Sequence, residues 1–249
     1  MLYNLFSRLT NYKFINRLLI ATRLDGWVLS KIGMYKRMKP DSKLDAQEMA
    51  GFSHRPDVQE AIDKAHHDLL AAAAKYAKPG DSILDIGCGA GAYLMHFEKN
   101  YKAVGIDLNK DMILAGPKFV PGAVFIYDDF LTRDFKEQYH FIYSVSVLEF
   151  IPPSKLEDFF KKVALLLKEN GVFFLHYPHA ISEAALHYPD LYYIEYSPEL
   201  VENNASKCLT VITHQHAFDG RKIGRYDTEP YSPGQRTFKN GCLLIAQKK

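Results

Sequence analysis

Three glycines and two acids in the first half of the chain have the types and spacing of a site for a nucleoside-containing cofactor. An apolar run that contains Asp85 is followed at alternate positions by Gly87, Gly89 and Gly91. A second apolar run ends at Asp107. A strand, a glycine turn and a helix let a cofactor approach bare backbone, and a carboxylate at the end of the next strand can accept hydrogen bonds from ribose hydroxyls. The pattern predicts a cofactor-dependent enzyme.

The elements around this turn alternate between strands and helices. The predicted strands cover residues 82–86, 102–107, 123–127, 140–146, 172–177, 209–218 and 242–247. The predicted helices cover about 57–77, 91–99, 109–116, 154–168 and 198–207. Strands that alternate with helices predict a parallel sheet covered on both faces. A long polar segment joins the last two strands, which predicts that they pair as an antiparallel edge.

The N-terminal segment differs from the rest of the chain in charge. Residues 1–40 hold eight basic side chains and one acid, a net charge of +7, whereas residues 41–249 hold 23 basic and 28 acidic side chains, a net charge of −5. Apolar residues at helical spacing over about 2–22 predict amphipathic helices with a basic face. We therefore predict an N-terminal helical extension or cap with a linker over 1–56, and a main domain over 57–249.

Three interpretations of the extension stay open. It could be a helical cap packed on the main domain, or a peripheral membrane anchor in which residues 1–40 use basic side chains and apolar burial. A basic arm for nucleic acid is the third interpretation, which is disfavoured because the aromatic residues are spaced for a helix face.

Composition excludes several classes of protein. The chain has an odd number of cysteines without Cys-x-x-Cys spacing, namely Cys88, Cys208 and Cys242. No disulfide framework or cysteine zinc site is expected, and a reducing, cytoplasmic setting fits. Arg8 and Lys13 interrupt the first apolar patches, which argues against a signal peptide, and no run approaches the ~20 apolar residues of a membrane span. His214 and His216 share a strand face without an evident third ligand, so no metal site is predicted.

Ordered motifs along the chain resemble those of class I S-adenosylmethionine-dependent methyltransferases. Residues 84–91 resemble the first motif of that family and residues 105–108 the second. The likeness continues through 127–130 and 146–151, after the third and fourth strands, and through 166–172 before the fifth. The resemblance implies an α/β, Rossmann-like doubly wound fold with a seven-stranded, mostly parallel sheet, an antiparallel C-terminal edge strand and, here, an N-terminal helical extension.

The resemblance also implies a set of contacts to S-adenosylmethionine, whose product is S-adenosylhomocysteine. The candidate cofactor-binding residues are Asp85, Gly87, Cys88, Gly89, Gly91, Asp107, Leu108, Asp129, Phe130 and Ser144. By resemblance, Leu108 lies on the adenine ring, Asp129 accepts from its amino group and the backbone of Phe130 meets a ring nitrogen. A nicotinamide dinucleotide is the rival cofactor, because the spacing Gly87-x-Gly89-x-x-Ala92 also satisfies the dinucleotide pattern.

Two residues are candidates for catalysis. A hydroxyl acceptor must lose a proton during methyl transfer, whereas an amine needs only a neutral lone pair. His179, after the fifth strand, is the leading candidate base because histidine titrates near neutral pH. Glu149 follows the fourth strand and could orient an acceptor. His140 and Phe150 depart from the residues common in the family, which leaves the substrate class open.

These features favour methyl transfer to an oxygen or nitrogen of a small-molecule acceptor: a metabolite, a lipid-linked compound or a saccharide. Residues 144–147 lack the Asn/Asp-Pro-Pro-Tyr motif of enzymes that methylate exocyclic amines of bases. Nucleic acid is disfavoured as a partner because the main domain is acidic. The alternatives are an RNA or protein methyltransferase recruited by the basic segment, and a non-catalytic protein that binds S-adenosylmethionine.

Overall fold

The computed structural model describes residues 56–178, 196–217 and 241–249, together with Thr22. The predictions for the extension, and the candidate base His179, lie outside these residues. Within them the helices are α1 (Pro56–Tyr76), α2 (Lys110–Phe119), α3 (Leu156–Leu166) and α4 (Pro198–Ala205). The strands are β1 (Ser82–Ile86), β2 (Lys102–Asp107), β3 (Val124–Tyr127), β4 (Tyr139–Val145), β5 (Leu167–Pro178), β6 (Leu209–His216) and β7 (Gly241–Lys248).

The seven strands form one sheet in the order β3-β2-β1-β4-β5-β7-β6. The pairs among β1 to β5 are parallel, and β7 is antiparallel to both β5 and β6. The doubly wound fold and the antiparallel C-terminal strand are therefore confirmed. Strand β7 lies one position inside the edge, which β6 occupies.

The central strands are buried on both faces, which explains why their sequences are continuous apolar runs. Leu84, Ile142 and Phe173 belong to a core layer shared with α3 and α4. Ile83 and Phe141 face the other way, into a layer shared with α1. Because parallel strands end at the same edge, this packing brings the carboxyl ends of β1, β2, β4 and β5 together.

The predicted helix over 91–99 is wrong. The segment consists of turns with a short 3-10 helix at Leu94–His96. Gly91 has a φ of 88°, outside the right-handed helical region, and Tyr93 provides no side-chain cap. The backbone bonds are mixed, since Phe97 donates to the carbonyl of Leu94, three residues back, and Met95 donates to that of Gly91, four residues back.

The boundary between the predicted helix over 154–168 and the fifth strand also differs. Helix α3 ends at Leu166, and β5 begins at once instead of at residue 172. The register between β4 and β5 shifts between Tyr139 and Phe141, and Asn170 takes a φ of 61°. The predicted stop signal at 169–171 is thus a bulge inside the strand.

No helix in the described part of the chain combines the length and the hydropathy that crossing a bilayer requires.

Candidate functional site

Among the described residues, only one of the three glycines in the turn after β1 has room for a side chain. Gly87, Gly89 and Gly91 have φ angles of 78°, 52° and 88°, a region that favours glycine. A Cβ on Gly87 would lie 2.1 Å from a methyl carbon of Val147, and one on Gly91 would lie 2.8 Å from the ring of Phe125. No described atom lies within 4 Å of a Cβ placed on Gly89. Two glycines therefore permit close packing, and Gly89 faces open space.

Asp85 brings an unsatisfied carboxylate to the base of this turn. The side chain is 1% exposed, and its Oδ2 has no hydrogen-bond partner among the described residues. Burial raises the pKa of Asp85, the hydroxyl of Tyr143 opposes that shift, and the charge of Asp107 adds to it. A buried, unsatisfied acceptor of this kind favours a ligand that carries a donor or a positive charge.

Asp107 connects the end of β2 to the glycine turn. Its Oδ2 accepts from the backbone N–H of Gly89 at 2.8 Å, and its Oδ1 accepts from that of Asn109 at 2.7 Å. Burial raises the pKa of Asp107, and the backbone N–H donors oppose the shift. A carboxylate has four lone-pair sites, so each oxygen still has capacity for another donor such as a ribose hydroxyl.

The loop after β3 presents a carboxylate and a run of backbone. Oδ1 of Asp129 accepts from the backbone N–H of Leu131 at 2.8 Å. The side chain of Phe130 is buried in the core, where its ring packs on that of Phe159 with centroids 5.5 Å apart. Only the backbone of Phe130 is thus placed for a ligand. Leu108 is half-buried directly after β2, where a flat ring could lie against it.

Two of the candidate cofactor-binding residues turn their side chains into the fold. The Sγ of Cys88 packs against β2, where a Cβ on Gly105 would lie 2.5 Å from it, and burial raises the pKa of the thiol. The hydroxyl of Ser144 is buried and donates to the carbonyl of Ile86 at 3.2 Å. Both side chains pack beneath the turn after β1, on the side of the core.

The end of β4 carries a strained residue and a buried acid. Ser146 has a φ of 54°, uncommon for a residue other than glycine, and its N–H donates to the carbonyl of His176 at 2.9 Å. Glu149 follows in the 3-10 turn Leu148–Phe150 and is 3% exposed, with no partner for Oε2 in the described structure. Burial raises the pKa of Glu149 to about 8.

Near the end of β5 lies a buried histidine, His176, whose ring shows no hydrogen bond to the described residues. His176 is 5% exposed, neither ring nitrogen has a hydrogen-bond partner among the described residues, and burial lowers its pKa to about 4. A Cβ on Gly241 would lie 2.6 Å from its Nε2, so a larger residue there would displace the histidine ring. The structure therefore brings Glu149 and His176 to adjacent strand ends.

Tyr177, the next residue, faces the opposite side of the sheet. Its hydroxyl lies 2.8 Å from Nε2 of His214, whose Nδ1 lies 2.8 Å from Oε2 of Glu202. His214 is thus engaged by a tyrosine and a carboxylate. Within the described ranges, no group of three or more metal-ligating side chains could hold a metal ion.

Sequence reasoning missed two contacts of the site. Tyr143 is the direct neighbour of Asp85 in the parallel pairing of β1 and β4, and it influences that carboxyl. Lys162 of α3 reaches the loop that holds Asp129, where it donates to the carbonyl of Leu131 at 3.1 Å. The strand register could have identified the tyrosine, whereas the lysine depends on how α3 packs.

A family model matches most of the chain. The family model described as "Methyltransferase domain" matches residues 55–226. The cyclopropane-fatty-acyl-phospholipid synthase of Escherichia coli (strain K12) is 31% identical over 103 residues, which cover 40% of this chain and 26% of the synthase. The match therefore spans about a quarter of the length of that curated relative.

Solved structures share the fold. An S-adenosylmethionine-dependent methyltransferase from Clostridium acetobutylicum superimposes with a TM-score of 0.62 at 13% identity, covering 81% of this chain and 98% of that chain. The N-methyltransferase NodS from Bradyrhizobium japonicum, in complex with S-adenosyl-L-homocysteine, gives a TM-score of 0.58 at 14% identity, covering 87% and 96%. At these identities the likeness establishes the fold.

Proposed function

The chain belongs to the methyltransferase domain family and is an enzyme of the class I S-adenosylmethionine-dependent type. We propose that it transfers a methyl group from S-adenosylmethionine to an oxygen or nitrogen of a small-molecule acceptor. The observation that carries the cofactor assignment is the open face of Gly89, whose N–H donates to the half-buried carboxylate of Asp107 in the turn that follows buried Asp85. The residues present fit the cofactor, because they combine bare backbone, an unsatisfied acceptor for an ammonium group and a carboxylate for the ribose.

Each part of the site has a role in binding. The cofactor supplies an electrophilic methyl group on a positively charged sulfur. Asp85, whose Oδ2 lacks a partner within the described structure, attracts the ammonium end. Asp107 accepts from the ribose hydroxyls while it holds the glycine turn through the N–H of Gly89. Asp129 accepts from the adenine amino group, and the backbone of Phe130 lies along the edge of the ring.

Glu149 is the candidate that meets the acceptor from the β4 side. With a pKa of about 8, it is mainly protonated at neutral pH and becomes a base above that value. For a hydroxyl acceptor, the ionised carboxylate would take the hydroxyl proton while the methyl group passes from the sulfur to the oxygen, which leaves S-adenosylhomocysteine. His179 remains the candidate base from the segment after β5, outside the described residues.

The role proposed for Glu149 predicts how the rate of methyl transfer to a hydroxyl acceptor depends on pH. The rate should rise with pH through an apparent pKa near 8, because ionisation of Glu149 creates the base. The substitution Glu149→Gln should lower kcat/KM by about 10²-fold or more and abolish this rise. The pH profile of kcat/KM measures both effects. A Glu149→Gln variant with the wild-type profile would remove Glu149 from catalysis.

A second candidate acceptor is a lipid. The match to cyclopropane-fatty-acyl-phospholipid synthase over 103 residues and the net charge of +7 in residues 1–40 support an acceptor that is carried in a membrane. In this version the basic segment brings the protein to an anionic lipid surface, and the carboxyl ends of β4 and β5 face the substrate.

Transfer of labelled methyl groups from S-adenosylmethionine distinguishes these acceptors. Four substrate pools are incubated with the full chain: soluble metabolites with hydroxyl or amino groups, vesicles with unsaturated phospholipids, RNA and protein. Label in the first pool supports the favoured proposal, and label in the vesicles supports the lipid version. Label in RNA or protein alone would contradict both. Nuclear magnetic resonance of the product distinguishes a methyl group on oxygen or nitrogen from carbon incorporated into an acyl chain.

A further inference from the structure

One lysine from a distant helix makes four contacts with the loop between β3 and β4. Nζ of Lys162, on α3, donates to the carbonyl of Leu131 at 3.1 Å and also to the carbonyl of Arg133. The same ammonium lies 5.9 Å from the ring centroid of Phe130 and 5.6 Å from that of Phe135. Four contacts to one loop from a single side chain fix the loop against α3.

The loop has few other constraints of comparable reach. Residues 128–138 contain turns and irregular backbone, without a helix or strand. The ends of the loop are tied to the fold, since the N–H of Asp128 donates to the carbonyl of Asp107 at 3.2 Å and the side chain of Gln138 donates to the carbonyl of Leu165 at 3.0 Å. Between these ends the polar contacts are local: Asp128 pairs with Arg133 at 2.9 Å, and Asp129 accepts from the N–H of Leu131 at 2.8 Å. The middle of the loop is therefore connected to α3 by the ring of Phe130 and by Lys162.

The electrostatic setting keeps the lysine directed at the loop. Burial lowers the pKa of Lys162, while the carboxylates of Asp129, Asp134 and Asp128 favour its charged form. Since carbonyl oxygens and the faces of aromatic rings both carry negative electrostatic potential, the loop offers the ammonium several partners in place of water.

We infer that Lys162 is a positioning residue for the adenine end of the cofactor site, acting through the loop that carries Asp129 and Phe130. The inference rests on the proposed function, because that function places the adenine ring against this loop. Loss of the lysine would release the carbonyls of Leu131 and Arg133 and allow Asp129 to drift from the 6-amino group. The ribose and methionine contacts, which lie on β1 and β2, would remain.

The test compares two ligands that differ at the edge of the base that is assigned to Asp129 and the backbone of Phe130. Calorimetry measures binding of S-adenosylhomocysteine and S-inosylhomocysteine, which carries a 6-oxo group and a hydrogen on N1 in place of the amino group and the bare N1, to the full chain. The wild-type protein should prefer the first. In Lys162→Met we expect about tenfold weaker binding of S-adenosylhomocysteine with a much smaller change for the inosine compound, so the preference shrinks. Lys162→Arg, which keeps the charge and donors, should retain most of the preference.

Lys161→Met is the matched control, since Lys161 is the exposed neighbour on α3 and pairs with Glu157 at 2.6 Å. It should leave both affinities unchanged. An unchanged preference in Lys162→Met, or an equal loss for both ligands, would overturn the inference. If Lys162→Met does not fold, Lys162→Gln is titrated with the same two ligands under the same criteria. Failure of the wild-type chain to bind either ligand would instead contradict the proposed function.

A double substitution gives an independent check. With Asp129→Asn already present, Lys162→Met should change the preference between the two ligands little further, because both residues act on the same contact. A second, fully additive tenfold loss would show that Lys162 acts elsewhere and would overturn the inference.

Discussion

The carboxylates of Asp85 and Asp107 lie at neighbouring strand ends in different environments, and these environments suit them to different parts of a ligand. Asp85 is buried with a free acceptor atom among the described residues, whereas Asp107 already accepts two backbone hydrogen bonds. The first suits a cationic group, and the second suits a pair of hydroxyls on a fixed ring. Neither role requires the carboxylate to move when the ligand enters.

Asp107→Asn should weaken binding of S-adenosylhomocysteine by ~1.5–3 kcal/mol, the range for hydrogen bonds to a charged group. The amide also presents donors toward the N–H of Gly89, which loosens the turn. Calorimetry measures the loss. Asp111→Asn, at an exposed position in the first turn of α2, is the control and should bind as the wild type does. An unchanged affinity in Asp107→Asn would place the ribose elsewhere.

Glu149 should make the protein less stable as the pH rises. Its pKa in the folded protein is about 8 against an ordinary value of 4.5, so the unfolded chain loses this proton first. Between these two values the folded state binds more protons, and the free energy of unfolding therefore falls with pH and levels off above about 8.

Glu149→Gln removes this titration. The variant should match the wild type near pH 4 and exceed its free energy of unfolding at pH 8 by more than about 1.4 kcal/mol, the equivalent of one pKa unit. Denaturant unfolding at the two pH values provides the measurement, with exposed Glu199→Gln as the control. A difference that does not change with pH would show that Glu149 titrates normally in the folded state.

At the scale of elements, the glycine turn combines a packing requirement with a binding surface. Gly87→Ala would force a Cβ to 2.1 Å from Val147 at a positive φ and should destabilise the fold by several kcal/mol, about 1–3 of which is backbone strain. Gly89→Ala meets no described atom within 4 Å, so it should cost only about 1–2 kcal/mol. Its methyl group nevertheless occupies the space proposed for the cofactor.

Thermal unfolding and calorimetry of the two variants separate these effects. Gly87→Ala should show the larger loss of stability. Relative to its own loss of stability, Gly89→Ala should show the larger loss of cofactor affinity. Wild-type affinity in Gly89→Ala would mean that the cofactor does not approach the turn.

The bond from Tyr177 to His214 ties β5 to β6 beneath α4. Removing the hydroxyl in Tyr177→Phe takes one hydrogen bond from a buried histidine that Glu202 also contacts, at an expected cost of about 1–3 kcal/mol. Denaturant unfolding measures the cost. Tyr127→Phe, at an exposed position on β3, should be neutral. A neutral Tyr177→Phe would mean that water replaces the lost bond at no cost.

Local sequence patterns predicted the strands well because the central strands are continuous apolar runs and end in acids or small polar residues. The pattern failed where a local signal competes with tertiary structure. Asn170 and Gly171 are typical of a helix stop, yet the pairing of β4 with β5 extends the strand through them. The helix after Gly91 fails for a local reason, since its glycine takes a left-handed φ.

The residues of the candidate site also differ in how far the sequence predicts them. Asp85, the glycines and Asp107 follow one another within β1, the turns after it and β2, so their spacing predicts that they meet. The partners Tyr143 and Lys162 approach through strand register and helix packing, over long separations in the chain. A single sequence carries no direct record of those distances, and the burial that raises the pKa of Glu149 is likewise visible only in three dimensions.

At the scale of the whole molecule, charge is separated along the chain. Residues 1–40 carry +7 and the remainder −5. If the basic segment contacts membranes, replacing Arg8, Lys13 and Arg17 with Gln in the full chain should weaken binding to anionic vesicles by about 3 kcal/mol, at ~1 kcal/mol for each charge. Vesicle sedimentation at low and high salt measures this. Equal binding by both proteins would favour a cap on the main domain.

Calorimetric titration of the full chain with S-adenosylhomocysteine and, separately, with a nicotinamide dinucleotide identifies the class of cofactor that the site binds. The glycine turn, Asp107 and Asp129 predict binding of one S-adenosylhomocysteine per chain and none of the dinucleotide. Tight dinucleotide binding without any binding of S-adenosylhomocysteine would contradict the account.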